Sequence, residues 1–125
     1  MATKFLQFVL SAGAMLALSS AAEAAHATRV GQCVETRVKE VGNRLENTPG
    51  SGSSITFTNG GGQVSYEQVP AVDESRPGDR VSMCLVSVPE DCPPGDNRGR
   101  TYKTTNKRTG QSWTLPDAEH MCGGA

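Results

Sequence analysis

Four cysteines, at positions 33, 84, 92 and 122, constrain the fold of this chain more than any other feature. They sit in a sequence poor in core-forming side chains. From Thr28 onward only 27 of 98 residues are apolar (Ala, Val, Ile, Leu, Met, Phe, Trp, Tyr or Cys), about 28%. An ordinary domain carries roughly 45–50% on a count that also includes Gly. The same segment has three Leu and one Ile against 13 Gly and seven Pro. A large enzyme, a multi-domain protein and a helical bundle are excluded. What remains is one small, loop-rich domain that needs covalent help. A native disulfide is typically worth ~2–4 kcal/mol, against a total stability of ~5–15 kcal/mol, so two bridges decide whether such a domain folds. Four cysteines allow three pairings. Cys33–Cys84 with Cys92–Cys122 pins both ends of the domain to its middle and is favoured. Cys84–Cys92, closing a tight segment through Pro89, stays open.

The N-terminus explains how disulfides would form. Residues 1–27 hold 18 apolar side chains. Lys4 supplies a short positive region, residues 5–18 are almost wholly apolar or small, and residues 19–27 are rich in small side chains. This is the pattern of a secretory signal peptide. The apolar run, about 14 residues, is too short to cross a ~30 Å hydrocarbon core as a helix. Two A-x-A sites compete. Ala22-Glu23-Ala24 defines a signal of residues 1–24, and Ala25-His26-Ala27 moves cleavage to after residue 27. The organisation expected is then an N-terminal tail over 25–31, a single β-domain over 32–122 and a C-terminal tail over 123–125. The expected address is periplasmic or secreted, an oxidising setting in which disulfides persist.

Alternation and turn chemistry predict about six short strands. Residues 32–41 alternate Val34, Thr36 and Val38 against Glu35, Arg37 and Lys39. Residues 47–54 read as a flexible loop. Residues 55–58 and 63–66 flank Asn59-Gly60-Gly61-Gly62 as a hairpin. Pairing Thr58 with Gln63 puts Phe57 opposite Val64 and Ile55 opposite Tyr66 on one face. Residues 70–79 form a loop ending in the turn Arg76-Pro77-Gly78-Asp79. Residues 80–88 are apolar on both faces and make the central strand. A second hairpin joins residues 100–105 to 111–115, with Tyr102, Trp113 and Leu115 on one face. The expected fold is all-β: a small antiparallel, partly open barrel of OB-like or SH3-like kind, stapled by disulfides.

Chemistry is harder to find. Residues 97–116 hold Arg98, Arg100, Lys103, Lys107 and Arg108 with no acidic residue, and Tyr102 and Trp113 lie among them. Cations beside aromatics on a β-surface bind anionic polymers by charge plus stacking. An exported protein would meet an anionic envelope polymer or an acidic protein there, not nucleic acid. The competing reading places Tyr102 and Trp113 in the core and leaves the cations as a solvated face. The net charge of −1 argues against a general polyanion binder. Zinc on Cys84, Cys92, His120 and Cys122 lacks the usual ligand spacing, and Asp91, Asp96 and Asn97 make no EF-hand. His120 near Asp117 and Glu119 has no G-x-S-x-G partner, and Gly60-Gly61-Gly62 lacks the Lys of a phosphate loop. No cofactor and no catalytic residue are expected.

Gly78-Asp79, Cys84-Leu85-Val86-Ser87, Cys92-Pro93-Pro94-Gly95-Asp96 and the end Cys122-Gly123-Gly124-Ala125 resemble small exported cysteine-containing proteins of Gram-negative type. The resemblance implies a periplasmic address and brings no activity, cofactor or site residue. The functional expectation is a non-enzymatic β-domain with a binding or structural role at the cell envelope, with residues 98–113 as its surface. The alternative is an inhibitor of an extracellular or periplasmic enzyme, presenting a stiff loop over residues 88–98. A small hydrolase or a metal-binding protein comes third. The feature that separates the first two is where exposed apolar residues gather: on the basic hairpin, or beside the segment between Cys84 and Cys92.

Overall fold

The computed structural model describes Gly13 and residues 26–124. Apart from Gly13, the expected signal peptide lies outside the described residues, as does Ala125. Six antiparallel strands form one curled sheet in the order β3-β2-β1-β4-β5-β6. They are β1 (Cys33–Asn43), β2 (Ser53–Phe57), β3 (Gly62–Val64), β4 (Arg80–Ser87), β5 (Thr101–Asn106) and β6 (Ser112–Pro116). One short helix, α1 (Pro70–Asp73), interrupts the segment expected to be loop throughout. Pro70 suits its first turn, where the backbone N–H has no helical partner, and Val72 is buried beneath the sheet.

β1 makes the sheet curl. Its first half pairs with β4, from Cys33 opposite Cys84 to Arg37 opposite Arg80. Its second half pairs with β2, from Val38 opposite Phe57 to Asn43 opposite Ser53. A bulge between Val38 and Glu40 separates the two halves. An extra residue bends its strand and increases local twist, so the sheet turns at this point into a half-barrel. The inward residues Val38, Ile55, Phe57, Val81, Met83, Leu85, Tyr102 and Trp113 form the core with Val72 and Ala27. β4 is central, as its composition suggested, but only its inner face is buried. Its outer face carries Cys84, bonded to Cys33.

The first hairpin departs from expectation. Ile55 pairs with Gln63 and Ser54 with Val64. Gly60 N–H donates to Phe57 O, and Phe57 N–H donates to Gly61 O. The loop therefore has three residues, Thr58 to Gly60, with Gly60 at φ +86°. A type I turn closed by a glycine bulge has this form. The changed register puts Gln63 inside and leaves Tyr66 exposed. The expected flexible loop over 47–54 is also shortened. Ser53 begins β2, is fully buried, and its hydroxyl donates to Asp73 while accepting Val69 N–H.

Gln63 is what closes the open side. β3 and β6 are the two edges of the sheet. The Gln63 amide donates to Tyr102 O at 2.9 Å and Leu115 O at 3.0 Å. Its carbonyl accepts from Thr104 Oγ1 at 2.6 Å and Trp113 Nε1 at 2.9 Å. Both donors and both acceptor positions of one amide are thus occupied. Four polar groups are satisfied by a side chain standing where two strands do not pair.

Candidate interaction surface

The two ends of the half-barrel are built differently. At one end the turn before β4, the β5–β6 loop and the residues after α1 meet around Asp79. Its carboxylate accepts from Arg108 Nε at 2.7 Å, Arg76 N–H at 2.8 Å and Asn106 Nδ2 at 2.9 Å. Asn106 Nδ2 also donates to Ser75 Oγ, and Asn106 Oδ1 accepts the backbone N–H of Arg108 and Thr109. Arg108 donates onward to Glu74 O. The Arg108 hydrogen bond is the main cause that holds the Asp79 carboxyl down, to about 2, against the opposing pull of burial; Asn106 and the Arg76 N–H add to it. This is a satisfied structural knot.

At the other end the segment over 88–99 is tied to the C-terminal residues 117–124. Cys92–Cys122 joins them covalently. Arg98 grips Asp96 with two hydrogen bonds of 2.9 and 2.8 Å. Cys122 N–H donates to Arg98 O, Gly123 N–H to Asp96, and Gly99 N–H to Asp117. The Arg98 guanidinium, followed by the Gly123 N–H, pushes the Asp96 carboxyl far below the usual carboxylate range. The expected C-terminal tail is therefore anchored through Gly124, whose carbonyl accepts from Arg98. The expected N-terminal tail is anchored too, because Ala27 is fully buried and Gly31 N–H donates to Leu85 O.

The basic hairpin does not assemble as the sequence suggested. Tyr102 and Trp113 are only 4% and 5% exposed, and Trp113 hydrogen-bonds Gln63. This corrects their assignment to a stacking surface: in an aromatic-poor domain the core takes the large rings. The cations are scattered. Arg98 and Arg108 stand at opposite ends of β5, a strand of six residues and so about 20 Å long. Arg98 is paired with Asp96, Arg108 with Asp79 and Lys107 with Glu35. Lys103 faces outward, exposed, while Arg100 is half-buried at an inward position. Among the described residues neither is in an ion pair. Lys103 shares the outer face with Arg37 and Arg80, which are direct cross-strand neighbours.

Four of the six exposed large apolar side chains among the described residues are at the disulfide end, the other two being Leu45 and Tyr66. Val86 and Val88 are 45% and 44% exposed, and Met121, next to Cys122, is 55% exposed. Val30 is exposed beside them, since the following Gly31 bonds to Leu85. None of the exposed large apolar residues belongs to β5 or β6. That residues 80–88 are apolar on both faces did not reveal the exposure of Val86 and Val88, because strand alternation does not say whether anything covers the second face. All four sulfurs are in disulfides, so none remains as a thiolate for zinc, and no group of His, Cys, Asp and Glu among the described residues is arranged to hold a metal. No described helix is long and apolar enough to cross a membrane. Set against known proteins, the chain matches no family model and has no significant match to a curated protein or a solved structure.

Proposed function

We propose that this is an exported, non-enzymatic binding domain whose contact surface is the disulfide end, with a protein at the cell envelope as partner. The observation that carries this is the grouping of exposed Val86, Val88 and Met121 around a loop fixed by Cys92–Cys122. Burying exposed apolar side chains against a partner is favourable, and a loop already held in shape loses less entropy on binding. These features support the inhibitor reading, in which residues 88–98 enter a partner's cleft. Two disulfides in a small domain fit an oxidising, extracytoplasmic setting. Residues 1–24 act as the signal in this proposal. Cleavage after Ala24 keeps Ala27 in the core, whereas cleavage after residue 27 removes it.

A second reading rests on Arg37 opposite Arg80, with Lys103 on the same outer face. Like charges directly opposite across two strands are unfavourable, and an anionic polymer would relieve them. One experiment separates the two. Envelope extract is passed over immobilised wild type, Val88→Asp and Lys103→Glu at low and high salt. The protein-cleft reading expects the retained protein to be lost with Val88→Asp and kept with Lys103→Glu at both salt concentrations. Retention that disappears with Lys103→Glu or with salt overturns it in favour of the basic face.

A further inference from the structure

We infer that the mouth of the half-barrel, at its disulfide end, is a binding site for a small organic monocarboxylate anchored by Arg100. The inference is independent of the protein-binding proposal, because it uses the inside of the barrel and not its outer loop. A cavity of about 270 Å³ opens there, floored by Met83 and Tyr102. Barrel mouths with an apolar floor and a few converging polar groups are favoured ligand sites. The volume lies just under the ~300–1,000 Å³ of drug-sized pockets, so the ligand is small, on the scale of one ring and one charged group.

Strand alternation places the polar groups. On β5 the inward residues are Tyr102, Thr104 and Asn106, so Arg100 continues the inward series just beyond the strand. On β6 Trp113 faces in, and Asp117 continues that series. Thr101 pairs with Pro116, and Asp117 N–H donates to Arg100 O, so Arg100 and Asp117 stand opposite each other on one wall. They do not form an ion pair. Asp117 Oδ1 accepts Gly99 N–H at 2.8 Å, and the Arg100 guanidinium makes no hydrogen bond to any described residue. A half-buried guanidinium without a partner among the described residues favours an acceptor, and its forked donors match a carboxylate.

The remaining walls set the class of ligand. Gly60, Gly61 and Gly62 line one side, and without side chains they let a ring approach the backbone closely. His26 lies against Gly61 on that side. Met83 and Tyr102 offer a sulfur and an aromatic ring to an apolar body. Asp117 holds a like charge beside the anion site, so a doubly charged phosphate is disfavoured relative to a monocarboxylate.

The test is an amide-resolved NMR titration of the oxidised, purified protein with benzoate, benzamide and inorganic phosphate. Saturable shifts of the Gly60, Gly61 and Gly62 amides with benzoate are expected, with benzamide and phosphate at least about tenfold weaker, equivalent to ~1.4 kcal/mol. Arg100→Gln should abolish the preference for benzoate over benzamide. Asp117→Asn retains an acceptor for Gly99 and should tighten benzoate and phosphate binding together, which keeps the proposal testable if the Arg100 variant folds poorly. Equal binding of benzoate and benzamide overturns it. So does benzoate binding that survives Arg100→Gln or weakens in Asp117→Asn, or the absence of any saturable shift.

Discussion

The two ends of this half-barrel solve the same problem by different means. Around Asp79, three loops are held by a carboxylate that is nearly buried and fully hydrogen-bonded. Around Cys92–Cys122, two segments are held by a covalent bond and by hydrogen bonds that lie mostly in water. The difference follows from solvent. A buried charged group deprived of its partner is costly, which makes its network strong by default. An exposed ion pair such as Asp96–Arg98 is worth little, so an exposed loop needs a bond that water cannot replace. The knot end can be stable without covalent help, and the loop end cannot be stiff without it.

The comparison breaks most visibly at Asp79. Asp79→Ala removes the acceptor for Arg76 N–H and Asn106, each a hydrogen bond to a charged group worth ~1.5–3 kcal/mol, while the exposed Arg108 adds little. The loss should be about 3–5 kcal/mol, with unfolding of the whole domain rather than one end. Chemical denaturation of the oxidised protein measures it. A loss below 1 kcal/mol would show that the knot is not what holds that end.

Removing the Cys92–Cys122 bridge with paired Ser substitutions is the next largest effect. Thirty residues separate the two cysteines, and cross-linking a loop of that length contributes about 3–4 kcal/mol in the chain-entropy model. The expected outcome is uneven. Hydrogen exchange should accelerate most at Gly99, Cys122 and Gly123, with a smaller shared loss of protection across the Gln63-sealed strands, because the constraint is released from the unfolded chain. Acceleration as large through β4 and β5 as at the loop would mean that the bridge does not hold the loop in particular.

The ends should also part company in acid. The Asp79 carboxyl is lowered to about 2 from 3.8. Its contribution is complete above about pH 4 and is lost as pH falls from 4 towards 2. Stability of the wild type should therefore fall across that window by more than that of Asp79→Asn, which has no charge to lose. Parallel curves for the two proteins would remove the ionised carboxylate from the account of the knot.

These contrasts show what the sequence made legible. Local periodicity and turn residues located every strand, and the inward position of Tyr102 and Trp113 was one of its two readings. The favoured disulfide pairing is the one present. Non-local satisfaction was not legible. Gln63 looked like a polar residue beside a glycine turn, and a run of three glycines permits either loop length. The choice is made across the barrel, by Tyr102, Thr104, Trp113 and Leu115, which lie 39 to 52 residues away. Asp79 likewise read as the end of a turn and Arg108 as a surface cation. Arg100 is the exception. Once Tyr102 is inside, strand parity already points Arg100 inward.

The smallest expected effect tests the loop end most sharply. Arg98→Ala breaks the two bonds to Asp96 and the one to Gly124. In the bridged protein the loop is already closed and the pair is solvent-exposed, so the loss should be small. Without Cys92–Cys122 the same guanidinium is a main tether between residues 96–98 and the C-terminal segment, and its removal should matter more. The two changes share one loop, so their effects should couple by about 0.5 kcal/mol or more in a double-mutant cycle read by exchange at Gly99 and Gly123. Strict additivity would mean that the hydrogen bonds and the disulfide act on separate parts of the loop, and the covalent bond would then not be the reason the exposed contacts persist.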